Sequence, residues 1–368
     1  MVALVVLALL SADAGTDADA GVKLPPQKLN KLPLSRKADE ARVQRVLTSL
    51  DSRARAAQLL LAYPQVDKTG PVHVGGVLFV GKSLNPTTTK TRIDDSRSRA
   101  AIPPWFAVDM EGGVSNRLSK VKSLKAMPSA AQMAELDDGE VEAWGRRVGL
   151  AMKSLGLNLN LAPVLDVAPK GHMERNGRSF AGDADLVVEK ASAYSLGLLE
   201  EGVVPIGKHF PGYGDIDQDS DHRLVTSDWP RERVLKETQA FARAGGMLGG
   251  VMLANVVYPS VEAKPAILSS KMVEMVHQHD WLAVTDDLSI KVLADSIGGT
   301  SEDVLKQAFL AGNDLLLTTA PPDWDKGIDY VGILSELAES SPQAKQTLDA
   351  ACVRVLRLKD RQGLLDGL

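Results

Sequence analysis

The sequence predicts a single-domain α/β protein, a (β/α)8 TIM-type barrel, on three observations. Short apolar runs recur with helical stretches between them, polar residues able to do chemistry follow nearly every run, and the glycine-rich phosphate signatures of an open doubly wound sheet are absent. A barrel gathers its strand ends on one rim, where side chains from different strands meet on one ligand, whereas an open sheet spreads them along an edge.

Taken in order, residues 1–14 hold an apolar run (2–10) followed by Ala12-Asp13-Ala14, the small-x-small pattern of a signal-peptide cleavage point, although a positive n-region is missing. The run is too short to span a bilayer. Export is the expectation; a cytoplasmic location follows if the run is not a signal. Residues 15–38 are small, acidic and proline-containing without a period, and read as a linker to a catalytic domain over 39–368. Apolar positions at helical spacing over 39–62 (Val43, Val46, Leu47, Leu50, Ala57, Leu60, Leu61) open that domain with helix. Strand-like runs follow at 76–80, 105–108, 157–167, 203–207, 251–257, 281–284 and 314–317. The eighth strand of a barrel is not evident.

The 368 residues are 44% hydrophobic and 24% charged, an ordinary globular composition that excludes a disordered chain. A net charge of −5 without a basic patch argues against a nucleic-acid partner. The single cysteine, Cys352, excludes a disulfide framework and a cysteine metal cluster, and reads as a small buried hydrophobe.

Chemistry concentrates in residues 208–222, KHFPGYGDIDQDSDH, directly after the branched apolar run 202–207. That run is a buried strand whose end delivers Lys208 and His209, and the turn residues Pro211, Gly212 and Gly214 place the four aspartates on a surface loop. The alternation Asp215, Asp217, Asp219, Asp221 is not a helix-loop-helix calcium site. Such a site needs glycine sixth and glutamate twelfth, where this chain has Ser220 and Thr226. His73, His172, His277 and His279 lack metal spacing and read as surface or helix residues, so they suggest no metal site.

Lys208-His209-Phe210-Pro211-Gly212 followed by Asp219-Ser220 resembles the signature of family 3 glycoside hydrolases, in particular the bacterial β-N-acetylglucosaminidases of peptidoglycan recycling. Further blocks match in order: Asp109-Met110-Glu111-Gly112-Gly113 with Arg117, Ala162-Pro163-Val164-Leu165-Asp166 with Gly177-Arg178-Ser179-Phe180, Thr285-Asp286-Asp287-Leu288-Ser289, Ala311-Gly312-Asn313-Asp314, and residues 354–363. The resemblance spans roughly residues 39–365. It implies a retaining enzyme that removes terminal β-linked N-acetylglucosamine from an oligosaccharide through a covalent glycosyl-aspartate, without a cofactor. A β-glucosidase, or a weakened homologue that only binds glycan, is the alternative.

Retention needs one carboxylate to attack the anomeric carbon and an acid to protonate the departing oxygen. By resemblance Asp286 is the nucleophile, with Asp287 left to cap the next helix. Asp109, Arg117, Arg178, Lys208 and His209 match positions that hold sugar hydroxyls, while Asp166 and Glu111 read as structural. Taken alone, Asp109 and Glu111 would read equally well as ion-pair partners of Arg117. The relatives' acid/base is a histidine in an Asp-Ser-His triplet. Here the triplet reads Asp219-Ser220-Asp221, with the imidazole one place later at His222. His222 is the expected acid/base, because an imidazole needs no tuning at neutral pH; Asp221 is the alternative, and needs burial or a neighbouring carboxylate to raise its pKa. The chain also departs at Val114, Tyr213 and Asn255, where the relatives usually carry arginine, histidine and histidine. Oligomeric state is not legible.

Overall fold

The computed structural model describes residues 32–63, 74–319 and 329–368; the signal-like segment, most of the linker and His73 lie outside these. Eight parallel strands run in chain order around one sheet: β1 (Leu60–Ala62), β2 (Gly76–Phe79), β3 (Trp105–Val108), β4 (Leu159–Asn160), β5 (Val204–Phe210), β6 (Gly250–Leu253), β7 (Leu282–Thr285) and β8 (Leu316–Thr318). β1 pairs with β8 from Leu60↔Leu316 to Ala62↔Thr318, and the Val284↔Leu315 bridge joins β7 to β8, so the sheet closes into the expected barrel.

The strand absent from the sequence reading is β1. Residues 39–62 form α1 (Glu40–Ser49), α2 (Ser52–Gln58) and then β1, so the helical reading holds to Gln58 and fails at Leu60. Leu60 and Leu61 continue a helical apolar spacing and no turn residue separates them from α2; pairing to β2 and β8, invisible in local sequence, decides the conformation. Two other runs are shorter than expected. Residues 157–167 keep only β4 and a bridge from Val164 to Lys208, because the chain passes through Pro163. Residues 251–257 divide between β6 and Val256–Tyr258, which joins a separate sheet with Val225–Thr226 and Glu262–Pro265.

Outside the barrel lie α3 (Pro86–Arg99), α4 (Asp138–Leu155), α5 (Ala184–Glu200), α6 (Arg231–Ala244), α7 (Ser270–His277), α8 (Ser301–Leu310), α9 (Tyr330–Ser340) and α10 (Pro342–Arg361). Aspartate or asparagine side chains start several of them. Asp39, Asp51, Asn85, Asp137 and Asp183 each accept a hydrogen bond from a first-turn N–H left open by the helix geometry. Among the described residues no helix is long and apolar enough to cross a membrane.

Helices α4 and α5 touch backbone to backbone at Gly197, where a Cβ would lie 2.1 Å from the Glu142 carbonyl oxygen. This approach seats Tyr194, whose hydroxyl donates to the Met110 carbonyl at 2.5 Å, while the Asn160 amide brackets Met110 N–H and C=O. The Asp109–Glu111 segment is therefore pinned by two elements before any ligand arrives.

The N-terminal end of the barrel is closed by α10 and by the turn Pro33–Ser35, with Leu32, Leu34, Val355 and Leu358 packed under Trp105 and Val204. A lysine is buried there. Lys359 donates to Gln58 at 2.7 Å and sits 5.1 Å from the Trp105 ring, and burial pushes its pKa down to about 7. A base whose folded pKa lies below its unfolded value weakens the fold fully below pH 7, and this penalty fades as pH rises towards the unfolded value. Lys359→Met is accordingly expected to gain about 1–3 kcal/mol at pH 6, with the gain shrinking towards pH 10. Urea titrations at both pH values check this; a less stable variant at pH 6 would contradict it.

Candidate active site

Strand parity determines which side chains enter the barrel. Along β3, Trp105 and Ala107 join the interior apolar layer while Phe106 and Val108 pack outward under helices, and the next inward position is Asp109. The same alternation carries Val204 and Ile206 on to Lys208, and Leu282 and Val284 on to Asp286. These three residues line one cavity at the C-terminal mouth, together with Arg117, Arg178, His209, Asp219 and Asp221. Its volume is about 260 Å³, just below the ~300–1,000 Å³ of small-molecule sites, which suits one sugar ring better than a longer glycan. Eight of the nine residues singled out from sequence meet there. His222 does not.

The cavity floor is a fixed lattice of charge. Lys208 bonds Asp109 and Glu111, both at 2.6 Å, and Arg178 meets Glu111 through two parallel bonds of 2.8 and 2.9 Å. Burial opposes the charges on Lys208 and Glu111, but their partners prevail. The lysine pKa rises, and Glu111 is held well below the usual carboxylate range. Glu111 is thus a buried clamp between two cations, in line with its structural reading, and Arg117 is not the partner of Asp109 and Glu111. Beside this lattice, fully buried Asp166 accepts from the backbone N–H groups of His209 and Tyr213 and pairs with His209 Nδ1 at 2.8 Å, leaving His209 Nε2 for the cavity.

Asp286 sits just past β7. Burial, then the charge of Asp221, raise its pKa to about 6 against the opposing pull of His209. The adjacent carboxylate has a different task from the helix cap expected of it. Asp287 accepts from Ser289 N–H and hydroxyl and from Thr319 N–H and hydroxyl, tying the β7 loop to the end of β8.

The loop after β5 is held open by specific props. The Lys208–His209 peptide within β5 and the Phe210–Pro211 peptide at its end are cis. Gly214, at φ +52°, lies against the Trp229 ring where a Cβ would be 2.4 Å away, and Arg233 stacks on that ring at 4.0 Å while bonding Asp215 at 2.6 Å. The Tyr213 hydroxyl donates to Gln218 C=O and accepts from Ser220 N–H, so the side chain that replaces the relatives' histidine braces the loop from inside. Asp217 pairs with Arg175. Asp219 accepts from Asp221 N–H at 3.0 Å and pairs with His222 Nδ1 at 2.9 Å, and these bonds outweigh burial to lower its pKa.

This arrangement separates the two acid/base candidates, since Asp221 lines the cavity and His222 does not. The His222 side chain is 80% exposed, pairs with Asp219 and does not line the cavity. Asp221 instead lines the cavity from an exposed position on its rim, where partial desolvation and then the Asp219 charge raise its pKa, with His209 and Arg178 opposing. The cause is the brace from Tyr213, which fixes Ser220 and hence the side to which each following residue turns. Of the other departures, Val114 is largely exposed, and Asn255 is buried with both amide atoms unpaired. His172, read from sequence as a surface or helix residue, does begin a short helix, His172–Arg175, but lines the cavity beside Asp219. His277 pairs with the buried Asp314 at 2.9 Å, which Arg354 also holds at 2.7 Å, a structural knot behind β7. Among the described residues no group of histidine, cysteine or carboxylate side chains is placed to hold a metal ion.

Comparison with known proteins agrees with this geometry. Residues 64–358 match the family described as glycosyl hydrolase family 3 N terminal domain. Beta-hexosaminidase of Glaesserella parasuis is 30% identical over 263 residues, covering 69% of this chain and 75% of the relative; that of Bordetella pertussis is 29% identical over 275 residues, covering 71% and 77%. Among solved structures, a beta-N-acetylhexosaminidase from Beutenbergia cavernae superposes with a TM-score of 0.74 at 26% identity, covering 83% of this chain and 98% of its own. A family 3 beta-N-acetylglucosaminidase from Paenibacillus gives 0.76 at 28%, covering 87% and 64%. A family match across most of the chain, on a closed barrel whose strand ends converge on one pocket, makes this protein a member of glycoside hydrolase family 3.

Proposed function

We propose that the protein is a retaining β-N-acetylglucosaminidase that removes terminal β-linked N-acetylglucosamine, with Asp286 as nucleophile and Asp221 as acid/base. The observation that carries this is a pair of carboxylates from different loops, Asp286 and Asp221, lining one cavity together with the charged groups Asp109, Lys208 and Arg178. Asp109, Lys208, Arg178 and His209 supply charged donors and acceptors that fix a sugar by paired bonds, and Arg117 completes the wall. The ionised Asp286 attacks the anomeric carbon as the glycosidic bond breaks, and Asp221 gives its proton to the leaving oxygen. Asp221, now anionic, takes a proton from the water that displaces Asp286.

The roles require different protonation. Each carboxylate's negative charge favours retention of a proton by the other, so the pair holds one proton between its two titrations. With the Asp286 pKa raised to about 6, kcat/KM is expected to fall as pH drops through about 6 and the nucleophile takes up a proton. A rate that stays flat down to pH 4 contradicts the assignment.

Preference for the N-acetyl sugar rests on the relatives' activity. Purified protein assayed on aryl β-N-acetylglucosaminide and aryl β-glucoside tests it directly; preferential turnover of the glucoside overturns it. One observation favours a second reading, a glycan-binding homologue without turnover: the relatives' catalytic imidazole is missing from the cavity position that Asp221 takes. Glycan binding by a folded protein inert on both substrates would establish that reading. The signal-like N-terminus supports export, with cell-wall or chitin fragments as substrate.

A further inference from the structure

The acid/base loop does not form the rim alone. Residues 171–175, from the long connection after β4, dock on it: His172 N–H donates to Ile216 C=O at 2.9 Å, Arg175 pairs with Asp217, and Gly171 packs on Asp215. The docking turns the His172 ring into the cavity, 6.1 Å from the Tyr213 ring. There it makes no hydrogen bond to another described residue, and Asp219 is its main opposite charge. Burial lowers its pKa, with Arg178 and Arg175 adding to that effect against Asp219 and Asp221. A neutral imidazole offers one donor and one acceptor, the pair that a hydroxyl group matches.

Position decides which part of a substrate it meets. The sugar being cleaved occupies the buried floor, and an acid must stand beside the oxygen that leaves. A group flanking that acid on the outer rim therefore faces the leaving group. We propose that His172 is a specificity-determining residue that hydrogen-bonds the hydroxyls of the sugar leaving group. The inference rests on Asp221 being the acid/base, and deepens that reading by naming a residue that recognises the leaving group.

The test compares kcat/KM for an N-acetylglucosaminyl-β-1,4-N-acetylglucosamine disaccharide with that for phenyl β-N-acetylglucosaminide. Both leaving groups need protonation, and only the disaccharide presents hydroxyls. His172→Ala is expected to lower the disaccharide-to-phenyl ratio about tenfold, chiefly through KM, the loss of about one hydrogen bond. His172→Gln, which keeps a donor and an acceptor, is expected to restore part of the ratio. An unchanged ratio in His172→Ala, with phenyl turnover still abolished by Asp221→Asn, overturns the leaving-group role alone. Wild-type protein that cleaves neither substrate, or phenyl turnover that survives Asp221→Asn, removes the underlying reading as well.

Discussion

Replacing Asp286 with alanine is expected to reduce turnover of an aryl β-N-acetylglucosaminide by at least about 10⁴-fold, because the covalent route loses its only attacking group. Asp287 cannot substitute, since both of its oxygens are engaged by Ser289 and Thr319. In the proposed role Asp221 stands on the leaving-group side, away from the face that the nucleophile attacks. The space left by the carboxylate should admit a small anion: azide is expected to restore part of the rate and to yield the α-glycosyl azide. The near-isosteric Asp286→Asn should make the fold more stable at pH 7. Asp286 titrates near 6 in the fold, above its ordinary value of 3.8, so the unfolded chain releases its proton first as pH rises. Its cost to stability is complete above pH 6 and absent below about pH 4. A thermal midpoint for Asp286→Asn that exceeds wild type at pH 7 and converges on it at pH 4 would verify this, whereas a destabilised variant at pH 7 would refute it.

Replacing Asp221 with asparagine is the second large effect. Loss of a general acid costs about 10²–10⁴-fold when the leaving group is poor, and far less when it departs without a proton. Phenyl glycoside turnover is therefore expected to fall by about that factor, while a dinitrophenyl glycoside keeps most of its glycosylation rate. His222→Asn should leave both within about threefold of wild type, because an exposed imidazole paired to Asp219 contributes at most a surface ion pair. The reverse pattern, a large leaving-group-dependent loss in His222→Asn, would return the acid/base role to the histidine.

The contrast between these two assignments explains what the sequence could reveal. Asp109, Lys208 and Asp286 were legible because a rigid strand end fixes a side chain two residues beyond the last inward apolar position, a rule with a local signature. The barrel was legible for the same reason, apart from β1, where three residues with helical spacing become strand through pairing on both sides. Asp221 and His222 lie on a loop where one residue of offset decides which side chain enters the cavity. That offset is set by Tyr213, Asp166, Trp229 and Arg233, contacts that no local pattern encodes. His172 was missed because its loop has no catalytic spacing of its own. The departures Tyr213 and Asp221 were visible as departures, and together they would have been the signal that the loop is rebuilt.

The central claim, a covalent route through Asp286, is tested most directly by trapping. A 5-fluoro-N-acetylglucosaminyl fluoride activates the leaving group and slows breakdown of the intermediate, so that the modified protein can be digested and its peptides mapped by mass spectrometry. The account predicts one glycosyl adduct, on the peptide that contains Asp286 and on that side chain. An adduct on any other residue, or steady turnover of the reagent with release of the α anomer and no adduct, would contradict it.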